Sequence, residues 1–458
     1  MPTRVPNSLE EARCGAPPEL ERAGTVAFES APQIEACTHR LLQRHVGYCY
    51  ERSEFYRRRF DRLGLGAEAI RCVADLQKLP FTTKEDLTEH AEQLLCVQPR
   101  AIVDICQTSG TTGTPIALSQ TEQDLQRLAY NEQSCFAAAG LTADDRVIVA
   151  CALGRCFMAG LAYFEGLRRM GATAIRVGAG RPSVLAEAVR VHRPSAMVGV
   201  PSNLLQTGKL LQSRGIEPSG LGVTKLICIG EPVRAADLTP SALGRRLGDL
   251  WQAQVLGTYA STEMATSFAE CDRGSGGGHV LADLIVVEIV DEAGHPTAPG
   301  EPGEVVATPL QVTGMPVLRL KTGDIATLLT APCACGRHTP RVGPVLGRKA
   351  QMLKVQGTTL YPAAVFAALQ EMEEVGNYYL EIHQDYELSD RLRVIVGLEA
   401  GAPVTQEQIA SRICGRVRVT PEVVIATPEE VSKRTRVENR RKPVLVFDYR
   451  EDRKKGHT

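Results

Sequence analysis

Between Arg146 and Leu256 short apolar runs alternate with stretches whose apolar residues recur at helical spacing. The runs Val147–Ala152, Ala174–Val177, Ala196–Val200, Leu226–Ile229 and Gln254–Gly257 read as strands, and 158–170, 183–192, 202–213 and 239–249 as the helices between them. Strand, helix, strand in this rhythm means crossover units, and crossover units mean a mainly parallel sheet covered on both faces. Ligands of such sheets bind beyond the carboxyl ends of the strands. Two segments there are candidate binding loops: Gly230-Glu231-Pro232, and Thr258-Tyr259-Ala260-Ser261-Thr262-Glu263.

The flanks have other patterns. Residues 1–32 are a loosely held lead-in, rich in Pro, Glu and Ala, and helical spacing follows over 34–63, 83–92 and 121–139. From Val280 to Leu329 alternating strands with Gly/Pro turns predict a β-subdomain. Beyond Gly347 a strand at 353–355, a helix at 362–372, strands at 377–383 and 391–398, a helix at 405–418 and a strand at 422–426 form a small α+β domain. The expected division is 1–346 and 347–458, an α/β fold with a small α+β C-terminal domain; 458 residues exceed what one core usually serves. A formal net charge of −1 argues against nucleic acid as a partner. No run of about 18 apolar residues and no signal-peptide core is present, so a cytoplasmic protein without a membrane partner is expected. Cys106, Cys151, Cys228 and Cys414, each alone in apolar surroundings, read as small core residues.

Between two strand-like runs, Ile102–Cys106 and Ile116–Leu118, lies Thr108-Ser109-Gly110-Thr111-Thr112-Gly113-Thr114-Pro115. Five hydroxyls and two glycines in eight residues let backbone N–H groups and side-chain donors converge on one anion. A polyphosphate suits such a loop. It carries no lysine of its own, so the positive charge must come from elsewhere.

Thr-Ser-Gly-Thr-Thr-Gly-x-Pro resembles the phosphate loop of the adenylate-forming enzymes. The chain from about Glu35 to Arg450 is similar to the phenylacetate-CoA ligase and coenzyme F390 synthetase branch, including the lead-in 50–60 and Leu79-Pro-Phe-Thr-Thr-Lys-Glu-Asp-Leu87. The resemblance implies ATP and Mg²⁺, with Thr108, Ser109, Gly110, Thr111, Thr112 and Gly113 around the phosphates. Tyr259 would stack on adenine beside Ala260, which stands where the family has Gly; Thr262 would bond the α-phosphate and Glu263 would hold Mg²⁺. Gly230, Glu231 and Pro232 would form the adenine and acyl wall. Asp324, in Thr-Gly-Asp, would accept the ribose hydroxyls, and Arg348 would contact the ribose. The segment 347–357 resembles the hinge motif about which the family's C-terminal domain swings as a mobile lid, but both family acids are missing, replaced by Ala350 and Gln351. Near the end Lys442 aligns with the family's lysine, although Arg441 and Leu445 depart from the pattern, and Lys433 is its rival. Tyr163 and Phe164 lie on the helix that borders the family's acyl pocket, or else in the core.

By spacing alone Cys271-x₇-His279 and Cys333-x-Cys335 are either a Cys₃His set or two unrelated pairs. The resemblance implies a structural Zn²⁺. The implied activity is conversion of an aryl or related carboxylic acid to acyl-AMP, then transfer to a thiol, CoA first among them. An adenylyltransferase of the F390 synthetase type, an amide-forming or carrier-protein-loading enzyme, and a regulatory nucleotide binder that has lost catalysis are the alternatives. A homodimer is left open.

Overall fold

A computed structural model describes residues 13, 15–108, 115–274, 276–355, 358–386, 389–398, 401–436 and 443–450. It divides into two compact units, Met1–Thr322 with Ala326–Pro344, and Gly323–Ile325 with Val345–Thr458.

The first unit opens with helices α1 (Ala31–Arg52), α2 (Glu54–Arg62), α3 (Lys84–Glu89) and α4 (Ala91–Leu94). Ser53 breaks the first pair, its hydroxyl accepting the N–H of Tyr56 to cap α2. A hairpin of β1 (Ile102–Gln107) and β2 (Ala117–Thr121) follows, then helix α5 (Glu122–Ala138). The central sheet is built from β3 (Arg146–Ala150), β4 (Thr173–Arg176), β5 (Ala196–Gly199), β6 (Lys225–Ile229), β7 (Gln254–Ser261) and β8 (Thr266–Ala269), in the order β4-β3-β5-β6-β7-β8. All neighbours are parallel except β8, which returns antiparallel on β7.

The crossovers are α6 (Met158–Met170), α7 (Pro182–His192), α8 (Pro201–Ser213) and α9 (Ala242–Trp251). Alternation along each strand decides which helix each residue meets. Val147 and Val149 pack with Phe136 and Leu167 of α5 and α6, while Ile148, Met197 and Leu226 pack with Leu185, Leu211, Leu247 and Trp251 of α7, α8 and α9. Both faces are covered, which is the α/β architecture its rhythm predicts.

Beside the sheet lie β9 (Gly278–His279), β10 (Ile285–Val290), β11 (Gly303–Pro309), β12 (Leu320–Ala326), β13 (Leu328–Leu329) and β14 (Arg341–Val342). The order β10-β11-β12 makes one small sheet and β13-β14-β9 another. The alternating run from His279 to Val290 is two strands and not one, separated by a turn in which Leu284 N–H donates to the Leu281 carbonyl at 2.9 Å.

The second unit holds β15 (Gly347–Arg348), paired with Asp324 and Ile325, then β16 (Leu353–Val355) and β17 (Thr358–Leu360). Helices α10 (Pro362–Gln370) and α11 (Gln406–Val417) cover a four-stranded sheet of β18 (Val375–Tyr386), β19 (Ser389–Leu398), β20 (Glu422–Ala426) and β21 (Val446–Asp448), ordered β20-β19-β18-β21. Helix α12 (Pro428–Thr435) is an element the periodicity missed, although Thr427 caps it with Glu430 in a capping box and Pro428 starts it.

Candidate functional site

The polyphosphate-type loop springs from a closed base. Thr108 N–H donates to the Ile116 carbonyl at 3.0 Å, and Ile116 N–H donates to the Thr108 hydroxyl at 3.0 Å. Ser109, Gly110, Thr111, Thr112 and Gly113 lie outside the described residues. Gln107 N–H donates to the Cys156 carbonyl at 2.7 Å, which ties this base to the segment beyond β3.

The carboxyl ends of β6 and β7 stand in the same sheet. Gly230, at φ +74°, turns the chain out of β6 in a conformation that a β-carbon disfavours. Pro232 follows Glu231, whose carboxylate accepts from Ser202 N at 3.0 Å and Ser202 Oγ at 2.9 Å. A negative charge at the start of α8 complements the helix dipole, so Glu231 anchors the wall it belongs to.

Strand β7 does not stop near Gly257. It runs on to Ser261 because β8 pairs with it from Thr258↔Ala269 to Ser261↔Thr266, a partner that local spacing cannot reveal. Tyr259 and Ala260 are therefore strand residues and not loop. Tyr259 is half-buried with its ring stacked on Phe268, centroids 5.7 Å apart, and Ala260 is exposed. Only 262–265 form the turn, closed by Ala265 N–H donating to the Thr262 carbonyl at 3.1 Å.

Glu263 in that turn is 8% exposed, and its Oε1 lies 3.3 Å from the Lys84 ammonium. The sequence reading gave Lys84 no role. A signal was available: a cation in the first turn of a helix, just after the Thr83 cap, opposes the helix dipole and calls for a partner elsewhere. Carboxylate and cation together at a strand-end turn suit a metal–polyphosphate ligand, since Mg²⁺ takes one or two carboxylates and otherwise phosphate oxygens and water.

In the second unit Arg348 Nε lies 3.5 Å from Asp324 Oδ1, across the β12–β15 pairing. Ala350 and Gln351 form a short 3₁₀ turn with Lys349. Lys433 is exposed in the last turn of α12, and Lys442 lies outside the described residues. Tyr163 takes the core position: it is 3% exposed, 6.0 Å from Phe136, inside the layer between sheet and helices. Phe164 is half-buried under the Arg176 guanidinium, 5.0 Å from its ring centre.

Cys271 follows β8, His279 is in β9, and Cys333 and Cys335 sit between β13 and β14. One ligand atom from each lies within 4.8 Å of all the others. The Cys271 and Cys333 sulfurs are 3.5 Å apart and Cys335 Sγ is 3.4 Å from His279 Nε2, close to the ~3.8 Å edge of a tetrahedron with ~2.3 Å metal–sulfur bonds. A β-carbon on Gly274 would fall 2.6 Å from Cys271 Sγ and 3.0 Å from Cys333 Sγ, so glycine alone lets the chain wrap this closely. Arg337 donates to Cys335 Sγ at 3.4 Å, an outer contact that favours thiolate. Burial holds the His279 ring down at about 4, leaving it the neutral imidazole that binds metals. The four residues fit a closed structural zinc site.

The AMP-binding enzyme family matches residues 61–314. Phenylacetate-coenzyme A ligase of Thermus thermophilus is 32% identical over 367 residues, covering 79% of each chain. That of Escherichia coli is 30% identical over 396 residues, covering 85% of this chain and 88% of its own. A solved 2-hydroxyisobutyryl-CoA ligase in its postadenylation state shares the fold, with a TM-score of 0.83 at 23% identity over 94% of this chain and 93% of that one. Fold and relatives together define an acid–thiol ligase that works through an acyl-adenylate. The chain belongs to the AMP-binding enzyme family. Among the described residues no helix is long and apolar enough to cross a membrane.

Proposed function

We propose that the acid is an aryl or closely related carboxylic acid, that the thiol is CoA, and that ATP enters as its Mg²⁺ complex. The acid carboxylate attacks the α-phosphorus, giving acyl-AMP and pyrophosphate; the CoA thiol then takes the acyl group, releasing AMP and a proton. The observation that carries the reading is the Glu263–Lys84 pair, 3.3 Å apart in the turn beyond β7. Glu263 is the metal-holding carboxylate, and when bound Mg²⁺ would neutralise triphosphate charge. Lys84 supplies at this turn part of the positive charge that the phosphate loop lacks.

Tyr259 is assigned to adenine, Thr262 to the α-phosphate, 108–113 to the outgoing phosphates, and Gly230, Glu231 and Pro232 to the acyl and adenine wall. Asp324 and Arg348 are assigned to ribose and Lys442 to the α-phosphate. Preorganised donors and charges of this kind act where charge develops, without reorganising as the reaction proceeds. Cys271, His279, Cys333 and Cys335 would hold zinc, which supplies a cross-link and no open position for chemistry. Outside that cluster, the free thiols among the described residues suit a reducing compartment such as the cytoplasm.

The test is ATP–pyrophosphate exchange across a panel of aryl, hydroxycinnamic and short aliphatic acids, followed by thioester formation with CoA. Exchange with an aryl acid that depends on Mg²⁺ and leads to a CoA thioester is expected. Exchange with aliphatic acids alone, or acyl-AMP that CoA never discharges, would overturn the reading.

A further inference from the structure

Arg127 has no part in the reading above, yet it is among the largest fully buried side chains of the protein. It rises from α5, and among the described residues its hydrogen-bond partners are neutral. Nε donates to the Leu310 carbonyl at 2.6 Å, Nη2 donates to the Leu284 carbonyl at 2.5 Å and the Thr266 hydroxyl at 2.9 Å, and Nη1 donates to the Ala265 carbonyl. Burial lowers its pKa to about 10, so it remains a cation at neutral pH. A buried cation without a bonded carboxylate is expensive to keep, and a guanidinium spends its planar fork of donors on fixing what it bonds.

What it fixes is the turn that carries Glu263. Ala265, two residues after Glu263, has φ +45°, a left-handed conformation uncommon for a residue with a β-carbon, and its carbonyl is held by Arg127. One helical turn earlier on α5, Asp124 accepts from Thr313 N at 2.7 Å and Gly314 N at 2.8 Å, fastening the segment after β11 in the same way. Asp124, Arg127, Glu263 and Ala265 line one small cavity with Met315. The carboxylate is thus aimed by a turn whose strained residue is tied to a rigid helix.

We propose that Arg127 is a positioning residue for the metal–nucleotide site, holding through the Ala265 carbonyl the turn that presents Glu263. The inference rests on the assignment of Glu263 to Mg²⁺ made above. Lysine at this position keeps the charge but cannot span acceptors on three separate segments.

Mn²⁺ in the presence of ATP, followed by electron paramagnetic resonance, is the probe, with Mg²⁺ dependence of pyrophosphate exchange beside it. Arg127→Lys is expected to weaken Mn²⁺ binding about tenfold or more, the range for removing outer support from a metal ligand. It should raise the Mg²⁺ needed for half-maximal exchange by a similar factor while leaving the rate at saturating Mg²⁺ within about threefold of the parent. A role in folding alone would lower the melting temperature and leave both metal affinities unchanged, and that result overturns the inference. If Arg127→Lys does not accumulate as folded protein, Thr266→Val, which removes one acceptor of the guanidinium, decides: a few-fold shift in the same direction supports the inference, and none overturns it. Glu263→Gln separates the two levels. If it leaves Mn²⁺ binding unchanged, the metal assignment falls and this inference with it; if it weakens binding while Arg127→Lys does not, only the role of Arg127 is lost.

Discussion

Stripping metal from the Cys271, His279, Cys333 and Cys335 cluster is expected to lower the melting temperature of the first unit by roughly 5 °C. The magnitude follows from the stretch of chain that the site closes. Cys271 and Cys333 are 62 residues apart in sequence and 3.5 Å apart in space. Closing a loop of that length removes about 4 kcal/mol of unfolded-chain entropy, whether the clip is a disulfide or a metal. In a unit of this size each kcal/mol moves the midpoint by little more than ~1 °C, because the unfolding entropy grows with chain length. The assay has two parts: elemental analysis of protein purified without added metal, then thermal unfolding of the native, chelator-stripped and Cys333→Ser proteins. Cys414→Ser, outside the cluster, should keep its zinc. An unchanged midpoint after stripping, or less than about half an equivalent of zinc per chain, would refute the argument.

Glu263→Gln should lower acyl-AMP formation on the order of 100-fold while the melting temperature stays near the parent's, and near-normal pyrophosphate exchange would remove Glu263 from the metal site. Lys84→Met should slow the same step about tenfold or more by deleting the cation beside that carboxylate, and a parental rate would leave Lys84 a merely structural partner. Lys442→Ala should cut adenylation by roughly two orders of magnitude yet discharge supplied acyl-AMP to CoA at nearly the parent rate; if Lys433→Ala does this instead, the assignment moves to α12. Burial holds the Glu132 carboxyl up at about 7 against an ordinary 4.5. As pH rises through that window the unfolded chain releases a proton that the folded chain keeps, so stability is lost, by up to ~3 kcal/mol above it. Glu132→Gln should therefore gain stability at about pH 8 relative to about pH 4.5, and an equal change at both would contradict the assigned cause.

What could be read from sequence was whatever depends on near neighbours. Helix α6 spans the 158–170 that its spacing predicts, and β20 the 422–426, because amphipathic period and flanking turns are local properties. The missed features depend on distant partners. Strand β7 extends through Tyr259 because of β8, and Arg127 finds its acceptors between 138 and 183 residues away along the chain. Tyr163 and Phe164 had equal claims to pocket and core by residue type, and only the packing of Tyr163 on Phe136 separates them. Helix α12 depends on near neighbours too, since Thr427-Pro428-Glu429-Glu430 is a local start signal. The Cys and His residues could be paired only in imagination until β8, β9 and the β13–β14 segment brought them within 4.8 Å.

The core of the first unit has a consequence for how the chain is made. Leu41, Val46, Phe55 and Phe60 belong to one apolar cluster with Leu310, Met315, Val317 and Leu320. The hydroxyl of Tyr56 takes the N–H of Leu318 at 2.8 Å, and Tyr48 donates to the Thr313 carbonyl at 2.8 Å. Helices α1 and α2 are thus synthesised long before the last of the residues that cover them. At ~5–20 residues per second, the stretch between Leu128 and Leu310, from which among the described residues only Met158, Ala162 and Val286 are buried in the cluster, takes about ten seconds or more to synthesise. The central sheet, whose parallel strands are joined by short crossovers, can assemble in the meantime. Until Leu310, Met315, Val317 and Leu320 arrive, the leucines and aromatics of the N-terminal helices lack that part of their cover.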